Sequence, residues 1–170
     1  MNVDLAPMLI GKTDRIAFSF EWEEASDYFP SVAFEKSVSV EGEVTAASGC
    51  MFLTLRVGIA YRTFCARCLK ELHRSLFLCD SRDVADSGRS EETVPEDAVP
   101  VIRSAISLDE PVAELLFLEL PSRDLCSEDC RGLCPQCGKD LNEGPCGCRK
   151  EPDPRWAVLK QYLGEENESH

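Results

Sequence analysis

Histidine is almost missing from this chain: among 170 residues only His73 and His170 occur. No Ser/His/Asp set can therefore be assembled for nucleophilic catalysis. A zinc deaminase would need a His-x-Glu ahead of its Pro-Cys-x-x-Cys, and neither histidine supplies one. No run of eighteen apolar residues is present, so no transmembrane helix is expected. The stretch 1–20 lacks the basic start and continuous apolar run of a secretory signal. The expected setting is therefore the reducing cytoplasm, where paired cysteines bind metal more often than they form disulfides. Glycine-rich phosphate loops are missing too. Positive charge is scarce, with 18 Lys and Arg against 31 Asp and Glu and a net charge of −13. That balance disfavours nucleic acid as a partner of the chain taken whole.

Cysteine, in contrast, is abundant. Eight of the ten cysteines form close-set pairs: Cys65-x-x-Cys68, Cys126-(x)3-Cys130, Cys134-x-x-Cys137 and Cys146-x-Cys148. Four pairs supply eight thiolates, enough for two tetrahedral zinc ions with four cysteines each. A four-thiolate site has no open position for substrate or water, so the expected role of both ions is structural and no enzyme is expected. Metal makes the chain more acidic still, about −17 with eight thiolates and two divalent ions. Cys50 and Cys79 are solitary and read as small buried apolar residues.

The charge is unevenly distributed. Residues 56–74 carry Arg56, Arg62, Arg67, Lys70 and Arg74 against the single acid Glu71, whereas the segments on either side are acidic. Arg62, Arg67, Lys70 and Arg74 beside the first cysteine pair are therefore candidates for contact with an anionic partner. The competing reading is a solvated strand and turn.

Period-two alternation marks the clearest strand, with Met51, Leu53, Leu55, Val57, Ile59 and Tyr61 on one face. Val38, Val40 and Val44 suggest a partner strand, and Ile16, Phe18 and Phe20 a shorter third. Apolar Leu69–Cys79 reads as a return strand, which puts Cys65 and Cys68 at a hairpin tip. Residues 80–100 hold seven acids and two arginines and read as an acidic disordered loop. A helix fits 109–120, with Ser107 or Asp109 as its cap, Pro111 in its first turn and Pro121 beyond its end. Phe117 and Leu118 make it apolar nearly all round, which predicts burial. Asp153-Pro154 announces a second helix with Trp156, Leu159 and Leu163 on one face. The expected fold is α+β: an antiparallel sheet with one buried helix and a C-terminal zinc-knuckle segment. Its expected parts are an N-terminal segment (1–35) packing on the sheet, the sheet with its Cys-x-x-Cys hairpin (36–79), the acidic loop (80–100), the helix and knuckle segment (101–163) and a tail (164–170).

Two divisions of the thiolates are open. In one, Cys134, Cys137, Cys146 and Cys148 share an ion through a short turn of Asp140, Asn142, Gly144 and Pro145, leaving Cys65, Cys68, Cys126 and Cys130 for the other. Closing roughly 58 residues for the second site costs on the order of 3.6 kcal/mol, which metal binding of about 10–16 kcal/mol offsets. In the other, Cys126, Cys130, Cys134 and Cys137 share an ion. Cys130-(x)3-Cys134-(x)2-Cys137 also matches the cluster motif of radical enzymes that use S-adenosylmethionine, but too little chain follows it for their large barrel. A dithiol redox role for Cys65 and Cys68 lacks the expected βαβ context.

Leu108-Asp109-Glu110-Pro111 opening an apolar helix, then Leu120-Pro121, the run from Leu125 through Cys126, Cys130, Cys134 and Cys137 to Asn142, and Asp153-Pro154-Arg155-Trp156 together resemble the YceD family pattern. Cys65-Ala66-Arg67-Cys68-Leu69 after a strand resembles its other signature. The resemblance covers about residues 36–163. It implies a metal-binding factor, with nucleic acid as a candidate partner, that supports accumulation of large-subunit (23S) ribosomal RNA. It supplies no catalytic residue and implies no small-molecule substrate or membrane partner. Three roles follow as expectations. One is an assembly factor touching 23S rRNA or its precursor, and a second is an acidic adaptor for a basic large-subunit ribosomal protein. The third is a thiol-based redox or metal-delivery protein.

Overall fold

Residues 1–85 and 97–148 are described by the computed structural model. The alternation of apolar and polar residues in 38–61 produces the two central strands, β4 (Val38–Ala47) and β5 (Cys50–Phe64). Leu53, Leu55, Val57, Ile59 and Tyr61 of β5 are buried, as are Val38, Val40 and Val44 of β4. The period-two pattern thus sets which face turns inward. Around this pair the chain builds β1 (Asn2–Asp4), α1 (Ala6–Leu9), β2 (Arg15–Trp22), α2 (Ala25–Tyr28), β3 (Ala33–Phe34), β6 (Glu71–Ala85), β7 (Val99–Pro100), β8 (Ala105–Ser107) and α3 (Asp109–Glu119).

The main sheet has the order β2-β4-β5-β6-β7, and β3 pairs with β5 beyond the start of β4. It is antiparallel except at one edge, where β7 runs parallel to β6 through Val84↔Val99. The antiparallel expectation is corrected there, because Val99 and Pro100 run in the same direction as their partners Val84 and Ala85. β1 does not join this sheet; it pairs with β8 in a two-stranded ribbon. Met1 reaches α3 through its ammonium group, 2.5 Å from Asp109 Oδ1.

The return strand runs past Cys79 to Ala85, so the boundary expected at Asp80 is corrected. Arg82 lets the acidic segment continue as strand, because it pairs with Asp80 at 2.6 Å and with Glu114 of α3. Val84 is buried beside them. Val99 and Pro100 are strand as well. The rest of the expected acidic loop, 86–96, lies outside the described residues, as do the expected helix from 153 and the tail.

α3 matches the expected span but not the expected burial. Val112, Leu115 and Leu116 join the core, whereas Phe117 and Leu118 are 77% and 74% exposed. One face is therefore buried and the other carries apolar side chains into solvent. Its cap position is Leu108, whose apolar side chain offers no cap; Ser107 and Asp109, the expected caps, bond to each other and Asp109 to the Met1 ammonium group. Cys79 is exposed and Cys50 half-buried, correcting their expected burial. Cys79 pairs with Arg56, an exposed residue in the alternation of β5, and so falls on the outer face.

The 15-residue strands β5 and β6 form one long hairpin. Their pairing continues through Phe64↔Glu71, and the first cysteine pair projects beyond that rung.

Candidate metal centres

At the hairpin tip the backbone folds tightly enough to aim two sulfurs the same way. Cys65 N–H donates to Lys70 O at 2.8 Å, and Leu69 N–H donates to Cys65 O at 2.9 Å. The Arg67 N–H points at Cys65 Sγ, 3.5 Å away. Leu69 closes the turn at φ 61°, a left-handed conformation that costs a non-glycine residue about 1–2 kcal/mol.

The chain after α3 returns to this tip. Asp124 bridges to Cys65, and Ala66 N–H donates to Asp124 O at 2.8 Å. That pairing delivers Cys126 and Cys130. Sγ of Cys65 lies 3.7 Å from that of Cys130, and Sγ of Cys68 lies 3.6 Å from that of Cys126. A tetrahedral ion with metal–sulfur bonds of ~2.3 Å needs sulfur–sulfur edges of about 3.8 Å. The donors of Cys65, Cys68, Cys126 and Cys130 all lie within 4.8 Å of one another, so the arrangement fits such an ion. This inner tetrad is largely enclosed, with Cys65, Cys68 and Cys130 buried among Leu72, Leu125 and Leu133.

Cys134, Cys137, Cys146 and Cys148 form the second group, again with all sulfurs within 4.8 Å. Its knuckle repeats the first bond for bond: Cys134 N–H donates to Lys139 O at 2.8 Å, and Gly138 N–H donates to Cys134 O at 2.9 Å. Gly138 takes φ 72° where the inner knuckle uses Leu69. Lys139 Nζ donates to Pro145 O at 3.2 Å and ties down the returning loop. Cys137 and Cys148 are exposed. The structure therefore brings the eight thiols together in the first of the two divisions left open by spacing.

Ionisation follows the same pattern in both groups. The Cys65 thiol is held down at about 6, chiefly by the N–H of Cys68, and the Cys134 thiol at about 6 by the N–H groups of Cys137 and Gln136. Cys126 is pushed up to about 12 by the thiols of Cys130 and Cys68, and Cys148 to about 12, first by Cys137. Each tetrad thus has one thiol ready to ionise and one that resists until a cation offsets the crowded charge.

The two centres touch. Leu133 N–H donates to Arg67 O at 3.1 Å, and Gly132, at φ 72°, lies so close that a Cβ there would stand 2.9 Å from the same carbonyl. Across the gap, Asn142 Nδ2 donates to Cys130 Sγ at 3.5 Å. Neither Asn142, read from sequence only as a turn former, nor Asp124 was legible as part of a centre. The spacing of ligands gives no signal for groups that reach them by hydrogen bonds.

The four candidate anion-contact residues divide into two kinds. Arg67 Nη1 donates to the carbonyls of Glu128 and Cys130 at 3.0 and 2.8 Å. Arg74 Nη2 donates to Leu125 O at 2.5 Å, and its Nε lies 3.6 Å from Asp124. Both brace the returning segment. Asp124 also accepts from the Tyr61 hydroxyl, whose pKa is raised by burial and then by that carboxylate. Arg62 is exposed on the outer face, 3.3 Å from Glu71, and Lys70 is exposed with no ion pair among the described residues. His73 pairs with Glu35 on the outer face, well away from a ligand role.

Comparison with known proteins agrees with this arrangement of motifs. A family model described as "Large ribosomal RNA subunit accumulation protein YceD" matches residues 53–163. An uncharacterised protein of Mycobacterium tuberculosis is 36% identical over 107 residues, covering 62% of this chain and 52% of that protein. An uncharacterised protein of Mycobacterium leprae is 33% identical over 101 residues, 58% of this chain and 46% of the relative. The chain therefore spans about half the length of these relatives. A chloroplastic protein of Arabidopsis thaliana, named large ribosomal RNA subunit accumulation protein YCED homolog 1, is 33% identical over 55 residues, 32% of this chain and 17% of its own. No solved structure matches the chain.

Proposed function

This chain belongs to the YceD family, and on that premise we propose that it is a non-enzymatic factor, built around two structural zinc ions, that promotes accumulation of large-subunit ribosomal RNA. The observation that carries this reading is the pair of closed four-cysteine groups, each with its sulfurs within 4.8 Å of one another. A donor set of four thiolates with no histidine or carboxylate suits zinc and leaves it no position for a substrate. The inner ion holds the segment after α3 against the hairpin tip, and the outer ion closes the short loop that follows.

The surface so fixed is the part offered to 23S rRNA or its precursor. Exposed Phe64, Leu69, Arg62 and Lys70 gather at the tip, a mixture of aromatic and cationic groups suited to unpaired RNA. Arg67 and Arg74 belong to the architecture beneath it.

A second reading is favoured by one observation, the net charge of −13: the chain acts as an adaptor for a basic large-subunit ribosomal protein. Ultraviolet crosslinking in growing cells separates the two. The first reading expects discrete 23S precursor sites, lost in Arg62→Glu with Lys70→Glu while zinc content is unchanged. Recovery of a ribosomal protein with no RNA above background would overturn it in favour of the adaptor.

A further inference from the structure

The outer centre reaches into the inner one through a single side chain. Asn142 lies in the loop between Cys137 and Cys146, two ligands of the outer tetrad. Its Oδ1 accepts the N–H of Arg131 at 2.8 Å. Because that partner can only donate, the amide orientation is fixed, and Nδ2 must face the other way. Nδ2 donates to Asp140 Oδ1 at 2.7 Å and to Cys130 Sγ at 3.5 Å. Asp140 also accepts the backbone N–H of Asn142 at 2.8 Å. Asp140 bridges to Leu133, and Leu141 N–H donates to Gly132 O at 2.9 Å. The amide is thus held by Arg131 and Asp140, its loop is tied down by backbone pairing, and its remaining proton goes to a buried ligand of the other tetrad.

Four thiolates around a divalent ion leave a net charge of −2. A donated N–H stabilises that charge where water cannot reach, and such outer partners affect metal affinity by about 10–100-fold. Cys65 receives its donor from its own knuckle, the N–H of Arg67. Cys130 receives one from the outer loop, whose two ends an outer ion would tie together.

We propose that occupancy of the outer tetrad sets the ion affinity of the inner tetrad, with Asn142 as the positioning residue that couples them. The inference rests on the metal-binding reading above. Coupling of this kind is reciprocal, so inner occupancy strengthens the outer site by the same factor. The exposed outer centre loses its ion first, and the enclosed inner centre then holds its own less tightly.

The test uses the full zinc-loaded chain, a graded chelator and thiol alkylation mapped by mass spectrometry, which reports each tetrad separately. Asn142→Ala removes every contact of the amide. Asp140→Asn combined with Asn142→Asp retains an acceptor for the Arg131 N–H and for the backbone N–H of residue 142, but replaces the N–H aimed at sulfur with a carboxylate oxygen. Both variants should expose Cys65, Cys68, Cys126 and Cys130 at about tenfold lower chelator or less. Cys137→Ser with Cys148→Ser should do the same, and adding the exchanged pair to that background should change nothing further. An exchanged pair that stays within threefold of the parent overturns the proposal, as does full additivity. A parent chain that holds no ion at either tetrad overturns the metal-binding reading itself, a separate result.

Discussion

Around Cys65 and around Cys134 the backbone follows one course, yet the two knuckles sit in opposite surroundings. Each cysteine N–H donates to a lysine carbonyl five residues on, and each cysteine carbonyl accepts from the residue four on. The inner knuckle caps a long hairpin, draws its other ligands from beyond α3 and has three buried cysteines. The outer knuckle closes on ligands within a dozen residues and leaves Cys137 and Cys148 exposed. The same local geometry therefore serves two purposes. One centre joins distant parts of the chain, and the other shapes a short loop.

Breaking each centre in turn should give the largest contrast. Cys130→Ser leaves the inner tetrad one ligand short and should abolish the cooperative thermal transition, given the ~10–16 kcal/mol that a structural ion supplies. Cys148→Ser should leave the sheet intact, with loss of hydrogen-exchange protection confined to residues 131–148. Differential scanning calorimetry with exchange mass spectrometry reads both. Equal loss of the sheet in the two variants would erase the distinction.

Acid should affect the centres alike. In the ion-free chain the thiolates of Cys65 and Cys134 are favoured above about 6, a preference lost as pH falls through that value. Above it an ion displaces at most three protons per tetrad; below it the number approaches four. Zinc affinity, measured by chelator competition, should fall as pH drops and more steeply below about 6.

Arg67→Ala should cost about 1.5–3 kcal/mol through loss of charged hydrogen bonds. Its donors hold the carbonyls of Glu128 and Cys130, and denaturant titration checks the effect. The smallest change concerns the left-handed position that closes each knuckle, Leu69 in one and Gly138 in the other. Leu69→Gly should stabilise by up to about 1 kcal/mol through relief of the left-handed strain, and Gly138→Leu should destabilise by about 1–2 kcal/mol. Thermal shifts of opposite sign are expected.

Leu53 to Tyr61 announced β5 because burial on one face of a strand writes itself as alternation. The cysteine pairs were legible because thiols that converge within 4.8 Å, as a tetrahedral ion would require, come from close-set positions. β7 was not legible: two residues pairing in parallel with Val84 and Ala85 leave no periodic trace. Nor was the exposed face of α3, since Phe117 and Leu118 look the same in sequence whether a neighbour covers them or not. Residues 80–85 read as loop on their charge, and Arg82 reverses that by joining Asp80 and Glu114, a tertiary pairing that composition cannot express. The bracing role of Arg67 was hidden because its carbonyl partners lie 61 and 63 residues on, and the reach of Asn142 to Cys130 because a contact with sulfur leaves no pattern in the sequence.

The central claim is that two closed four-thiolate ions organise the C-terminal part of this protein. Native mass spectrometry of the intact chain, purified without added metal, tests it most directly. The account predicts two zinc ions per chain, with Cys65, Cys68, Cys126, Cys130, Cys134, Cys137, Cys146 and Cys148 protected from alkylation. A metal-free chain of native mass with those thiols freely reactive, or joined as disulfides, would contradict it.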